Sequence, residues 1–283
     1  MASGPHNMVL RIPPRTAIGP LLLLLLATAG TAAPLELMPM PPVALAEHGV
    51  YRTRALRTGE ELWRAKWSLD ETIQDGRPVL HFHEEGAGRQ DGSTSTVWKI
   101  TMTLDIWGPE PRLSWTQEAR DDHGRPLHVE QREFDYGHGV GQVITRDLRT
   151  GDTATKTIHL TPVSIPTEAL PAFLRLLPTA ADHRMPFALV LRGGTVIRMH
   201  AQLVGHERVV VPAGSFDCVK AELVPAGVNK FLARLVLPKI YMWQTEAPPH
   251  FWIKYQGPDG GPASREIVRE LVRFESVQAA ASN

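Results

Sequence analysis

The sequence has 283 residues, of which 43% are hydrophobic and 21% are charged, so it has ample apolar surface for the core of a globular domain. Its 30 basic residues balance 30 acidic ones. This balance excludes the strong positive charge typical of proteins that bind nucleic acid. Cys218 is the only cysteine, so no internal disulfide can form, and we expect its side chain to pack in the core.

The N-terminal segment has the residue order of a secretory signal. Arg11 and Arg15 come before six leucines at 21–26, and small residues follow the leucines. The apolar run is short for a membrane span. We therefore predict a signal peptide over residues 1–33 and an exported protein, located in the periplasm or outside the cell. An uncleaved membrane anchor is the alternative.

The domain boundaries follow from this segment. We predict signal cleavage between Ala29 and Ala33, with 44–46 as an alternative later site. Residues 34–46 are rich in proline and predict an extended linker. A single antiparallel β domain is predicted over 47–277, followed by a disordered tail at 278–283.

Alternating apolar and polar residues predict the first strands. Trp63 and Trp67 fall on one face of a strand over 62–69, with charged residues on the other. The pair Asp75-Gly76 predicts a tight turn into a second strand at 79–85. These residues therefore predict a β-hairpin with an aromatic face.

The clearest alternation follows at 98–106, where Trp98, Ile100 and Met102 share one face. Turn signals rich in glycine, aspartate and histidine separate the segments after it. The short, regular spacing predicts a meander of antiparallel strands. Its further strands are predicted at 113–121, 127–136, 140–147 and 153–160.

The strand pattern is interrupted by a short amphipathic helix. Pro171 suits a first helical turn, and Pro178 suits the end of the helix. Four apolar residues have the i, i+3, i+4 and i+7 spacing of one helix face, namely Leu170, Phe173, Leu174 and Leu177.

Alternation resumes after the helix. Ile197 and Met199 share one face of a strand over 197–203 that follows the turn Gly193-Gly194. Another strand is predicted at 185–192, before that turn. The strands that follow are predicted at 205–211, 215–223, 240–243, 251–257 and 265–274. The predicted fold class is thus mainly β: one curved antiparallel sheet, a half-barrel of about ten strands, wrapping one or two short helices.

A curved sheet with so little helix leaves part of its concave face unfilled, and we expect that surface to bind a lipid or another apolar ligand. The alternative is that the same side chains simply form the core. The residues predicted to line the ligand are Trp63, Trp67, Trp98, Ile100, Met102, Leu170, Phe173, Leu174, Ile197 and Met199.

Catalytic motifs are not apparent in the sequence. His81 and His83 lie two residues apart, so both would point to one face of a strand, with Glu85, and could share a metal. They are weak metal candidates, and a metal-dependent hydrolase using them is the less favoured alternative. We predict a binding protein with no cofactor; a structural or assembly factor that contacts other envelope proteins is a further alternative.

The C-terminal half also shows a family resemblance. The segments 209–220, 240–243 and 249–257, which include the turn Pro212-Ala213-Gly214 and a strand bearing Trp252, resemble an uncharacterised bacterial envelope family whose domain has no assigned function. The resemblance extends over residues 62–274. It implies a fold similar to that of the periplasmic lipoprotein carrier and its outer-membrane receptor, with acyl chains on the concave face of the sheet.

Overall fold

The structure of the protein is a computed structural model that describes residues 41, 43, 46–90, 94–226, 238–261 and 264–277. All of them belong to the second of two units, Met1–Pro34 and Leu35–Asn283, into which the chain divides. The predicted signal peptide and tail, and nearly all of the predicted linker, lie outside the described residues. Within the described part of the chain, no helix is long and apolar enough to cross a lipid bilayer.

The described residues form fifteen β-strands. They are β1 Ala46–Ala55, β2 Glu61–Gln74, β3 Arg77–Gly88, β4 Thr96–Asp105, β5 Arg112–Asp121, β6 Pro126–Asp135, β7 Val140–Asp147, β8 Thr153–His159, β9 Ser164–Pro166, β10 Arg184–Val190, β11 Val196–Val211, β12 Gly214–Pro225, β13 Ile240–Thr245, β14 Trp252–Pro258 and β15 Glu266–Val277.

All fifteen strands belong to one curved sheet. Its order is β8-β7-β6-β5-β4-β3-β2-β1-β15-β14-β13-β12-β11-β10-β9. Two meanders therefore start from the centre of the sheet, one from β1 and one from β15. Neighbouring strands are antiparallel, except that β9 is parallel to β10.

The centre of the sheet is the pairing of the first strand with the last. β1 pairs with β15 on one side and with β2 on the other. Tyr51 of β1 stacks on Trp67 of β2, with ring centroids 5.6 Å apart, and meets Trp252 of β14 at 4.4 Å. These buried aromatic rings pack the concave side of the joint between the two meanders.

Side chains bring the two ends of the sheet together. The hydroxyl of Tyr136, just after β6, donates a hydrogen bond of 2.6 Å to the carbonyl of Ser164 in β9. The carboxylate of Glu130 in β6 accepts a hydrogen bond of 3.1 Å from the amide of Gly193, in the turn between β10 and β11. The sheet therefore curls into a shape like a barrel.

A helical segment lies inside the curve. It consists of a 3₁₀ turn at Thr167–Ala169, the helix α1 at Leu170–Phe173 and a 3₁₀ helix at Leu174–Thr179. The apolar face predicted from the sequence is buried, with Leu174 0% exposed and Leu177 1% exposed. The predicted helix is thus present, but its second half is 3₁₀, as suits Pro178, which has no amide proton for an α-helical hydrogen bond.

The predicted fold class is confirmed, whereas the predicted count of about ten strands was too low. The strand β1 was not predicted because the residues on its inner face are Glu47, Gly49, Tyr51 and Thr53, which do not form an apolar alternation. The strand β9 has only three residues, and all three are buried. A strand of this length is too short to show an alternation of apolar and polar residues in the sequence.

Candidate functional site

The concave face of the sheet and the helical segment 167–179 enclose a cavity of about 880 Å³. Its volume is within the ~300–1,000 Å³ typical of small-molecule sites. The body of the cavity is apolar. Strands β2, β3 and β4 contribute Leu69, Leu80, Phe82, Met102 and Leu104, and further apolar side chains come from α1 and from β11 to β14.

Six of the ten residues predicted to line a ligand line this cavity. They are Trp67, Ile100, Met102, Leu170, Ile197 and Met199. On the strands, the period of two places these side chains on the concave face. Whether the cavity holds a ligand stays a prediction.

The other four predicted residues are buried outside the cavity wall. Trp63 and Trp98 pack edge to face, with ring centroids 5.3 Å apart. Phe173 packs against Phe187 of β10 at 5.6 Å, and Leu174 is fully buried. These four side chains therefore belong to the packed core around the cavity.

His81 and His83 lie on the outer face of β3. The ring nitrogens of His81 are 3.1 Å from the Thr72 hydroxyl and 3.3 Å from the Thr103 hydroxyl, and Nε2 of His83 is 3.2 Å from the Glu85 carboxylate. Among the described residues, no group of three or more His, Cys, Asp or Glu side chains could hold a metal ion. The third ligand that a metal site at these two histidines would require is therefore not seen in that part of the chain.

One end of the cavity, which we call the arginine end, is polar. It is formed by Gln90 after β3, by Arg192 after β10, and by residues 259–261, 264 and 265 after β14. Arg265 binds the carboxylate of Asp259 at 3.2 Å and also donates to the carbonyls of Arg89 and Gln90. Arg192 donates a 3.2 Å hydrogen bond to the side chain of Gln90. These contacts tie three loops together.

Several arginines act on the carboxylate of Asp259. Burial raises the pKa of its carboxyl group above the usual range, and the nearby guanidinium groups of Arg269, Arg265 and Arg192 oppose that rise. Because these three arginines cluster around one carboxylate, the arginine end has an excess of positive charge.

A buried ion pair fixes the helical segment to the sheet. Arg175 donates from both terminal nitrogens to the two carboxylate oxygens of Glu47 in β1, each at 2.6 Å. The Arg175 side chain is 3% exposed, and that of Glu47 is 0% exposed. Arg175 also lines the cavity, so this pair holds part of the cavity wall in place.

Arg269 of β15 is a cavity residue that the sequence analysis missed. Its guanidinium group lies over the ring of Trp63, 4.3 Å from the ring centroid, and 5.4 Å from that of Trp252. On β15 it shares one face with Ile267 and Leu271, which are 1% and 0% exposed. A charged residue at an inward position of a strand between two apolar residues was the signal available in the sequence.

Comparison with known proteins gives information about the fold alone. No model of a known protein family matches the sequence, and no curated protein is significantly similar to it. One solved structure, a β-barrel-like protein of the domain of unknown function DUF1849 from Brucella abortus, aligns with a TM-score of 0.51 and 8% identity. The alignment covers 84% of this chain and 100% of that one.

Two further solved structures align less well. One is a protein described as exported, with a YmcC-like fold, from Bacteroides fragilis; its TM-score is 0.32 and its identity 10%, over 84% of this chain and 98% of that chain. The other is described as a lipoprotein from Parabacteroides distasonis; its TM-score is 0.29 and its identity 8%, over 83% of this chain and 97% of that chain. Both scores are too low to carry an argument. The chain is therefore similar in fold to a β-barrel-like protein of unknown function.

Proposed function

We propose that the protein is an exported envelope protein that binds a lipid or another apolar ligand in its cavity and does not itself catalyse a reaction. The observation that carries this proposal is the cavity of about 880 Å³ with an apolar body, enclosed by a single curved sheet. Export is supported by the basic, apolar and small-residue order of residues 11–33.

Burial of an acyl chain of about ten methylenes offsets the free-energy cost of binding, and longer chains gain affinity. Each methylene group moved from water into an apolar site contributes ~0.8 kcal/mol. Ten methylenes therefore contribute about 8 kcal/mol, which is comparable to the estimated cost of immobilising a ligand. Because the hydrophobic contribution is not directional, we expect the affinity to depend more on the length of the acyl chain than on its detailed structure.

The resemblance of the sequence to an envelope family implies a fold similar to that of the periplasmic lipoprotein carrier and its receptor, which favours acyl chains as the ligand. In those proteins a curved antiparallel sheet surrounds a helical plug, as here. This is an argument from fold, and one fold can serve many functions. The cavity itself is therefore the stronger support.

An assembly factor that binds partners through a sheet edge has less support. The edge strand β8 has six exposed residues out of seven, which would suit strand addition by a partner. However, the turn Arg192–Gly194 lies against this edge, and Lys156 of β8 donates to the carbonyl of Gly193 at 3.5 Å. The turn partly covers the edge that a partner strand would need.

The test is native mass spectrometry of protein purified from a bacterial envelope extract without detergent, followed by lipid extraction. We expect bound lipid in the unchanged protein. Met102→Asp places a charge in the cavity wall, and Met102→Trp fills part of the cavity while keeping it apolar. Both variants should lose the lipid.

The matched control is Thr101→Asp, which places the same charge on the exposed face of the same strand. It should retain the lipid. Circular dichroism should show the β-sheet spectrum for all variants. Protein that carries no lipid and binds no long-chain alcohol when one is added would overturn the proposal.

A further inference from the structure

We propose that Arg269 binds the anionic head group of the ligand, so that the ligand is an acyl chain with a single carboxylate or phosphate group. This inference rests on the proposed function. It assigns a specific recognition site within the cavity.

The guanidinium group of Arg269 has an unusual environment. It lines the cavity and lies over Trp63 and near Trp252, both of which are buried. Its buried Nε has no hydrogen-bond partner. No ion pair or hydrogen bond of this side chain is present among the described residues. Contact with two indole rings holds the planar group in one orientation but leaves its donors available.

The other charged side chains of the cavity wall already have polar partners among the described residues. Glu84 accepts a 3.0 Å hydrogen bond from the indole N–H of Trp98. The remaining contacts are Arg175 with Glu47, Arg265 with Asp259, Glu168 with Arg132 and Arg192 with Gln90. Arg269 therefore differs from the other charged groups of the wall within the part of the chain that the structure describes.

The net charge of the cavity wall is complementary to a head group with one negative charge. Counted over the described residues, the wall contains four arginines and three carboxylates, which leaves one positive charge. Two of these carboxylates, those of Glu84 and Asp259, would repel a ligand with several negative charges. A guanidinium group matches a carboxylate or a phosphate through two parallel hydrogen bonds. A head group with one negative charge is thus favoured.

The position of Arg269 agrees with an elongated amphiphile. Arg269 lies three residues from the start of β15, close to the arginine end. The apolar wall extends away from this end as far as Leu80 and Leu104, at the far ends of β3 and β4. A head group at Arg269 would therefore direct its chain along the apolar body of the cavity.

The experiment is calorimetric titration of delipidated protein at pH 8 with three probes of equal chain length: palmitate, the methyl ester of hexadecyl phosphate, and hexadecanol. Each of the two acids carries one negative charge at this pH. We expect at least one anionic probe to bind about ten-fold to hundred-fold more tightly than the alcohol, as charge-assisted hydrogen bonds predict. The stronger of the two anions identifies the head group as a carboxylate or a phosphate. This comparison uses the unchanged protein and needs no variant.

Arg269→Met removes the charge and keeps an unbranched apolar side chain next to the indole rings. We expect it to abolish the preference for the anion and to leave the affinity for hexadecanol within about two-fold, since the apolar contacts remain. Arg269→Lys should retain part of the preference. The matched control is Arg273→Met, which removes the same charge from a side chain of the same strand that is 68% exposed and should leave the preference unchanged.

The outcomes separate this inference from the proposed function. Equal affinity for all three probes, or a preference that persists in Arg269→Met, would overturn the role of Arg269 while lipid binding stands. Failure of all three probes to bind would overturn the proposed function itself. Loss of hexadecanol binding in Arg269→Met, together with a changed circular dichroism spectrum, would show that Arg269 supports the fold instead of the head group.

Discussion

The buried pair of Glu47 and Arg175 offers the sharpest test of how the cavity wall is held. We predict that Glu47→Gln strongly destabilises the protein. The substitution keeps the size of the side chain but removes the negative charge that faces the guanidinium group through two hydrogen bonds of 2.6 Å. Arg175 is 3% exposed, so water cannot replace the lost partner.

The expected magnitude follows from this burial. Removing one partner of a buried ion pair costs ~3–5 kcal/mol. Folded domains are stable by only ~5–15 kcal/mol, so this cost is a large fraction of the total. With a urea dependence of ~3 kcal/mol per molar, the unfolding midpoint should fall by about 1–2 M.

The assay is equilibrium unfolding in urea, followed by tryptophan fluorescence and by circular dichroism. The matched control is Glu61→Gln, because Glu61 pairs with Arg64 on the surface through two hydrogen bonds of 2.5 and 2.9 Å. The two side chains of that pair are 39% and 56% exposed, so its loss should cost at most ~1 kcal/mol. The contrast isolates burial as the cause.

A double variant tests the reasoning further. Replacing both partners, as Glu47→Leu with Arg175→Met, removes the two charges together and should destabilise much less than Glu47→Leu alone. If Glu47→Gln has no larger effect than Glu61→Gln, the pair does not fix the helical segment. If the double variant is as unstable as the single one, an unpaired buried charge is not the cause.

Two further predictions concern packing inside the sheet. A methyl group at Gly86 would overlap the indole ring of Trp98, whereas one at Gly205 would meet open space. In urea unfolding, Gly86→Ala should therefore lower the stability by ~1–3 kcal/mol and Gly205→Ala by less than ~0.5 kcal/mol. Equal losses of stability would contradict the close contact at Gly86. Burial is the main cause, and nearby carboxylates the smaller one, of a pKa of about 12 for the Cys218 thiol. The thiol is therefore protonated and buried at pH 8, so a thiol reagent should label the protein only after unfolding. Rapid labelling of the folded protein would show that this side chain is accessible.

Local patterns in the sequence predicted much of the sheet. The turn Asp75-Gly76 was expected, and both residues have positive φ, 50° and 76°, between the paired ends of β2 and β3. The alternation around Ile100 and Met102 correctly indicated which side chains face inward. Such predictions succeed because turn geometry and strand period depend only on residues next to each other in the chain.

Other features could not be predicted from residues that are neighbours in the sequence. Strict alternation around β14 would put Phe251, Ile253 and Tyr255 on one face and Trp252 on the other. However, a register shift between Trp243 and Gln244 pairs Gln244 with Trp252. As a result Trp252 is 8% exposed and lines the cavity. A shift of one residue reverses the faces of a strand, and the partner strand determines whether it occurs.

The sequence by itself determined the fold class, the strand periodicity, the position of the short helix and the signal-like pattern of the N-terminal segment. Only the tertiary structure decided that β1 pairs with β15, that Glu47 contacts Arg175 and that Arg269 lies over Trp63 and near Trp252. These contacts connect residues far apart in the chain, such as Glu47 and Arg175, 128 positions apart. Such pairs form because the folded sheet offers one low-energy arrangement for all its buried groups together. These contacts have no sequence period, so they could not be predicted from neighbouring residues.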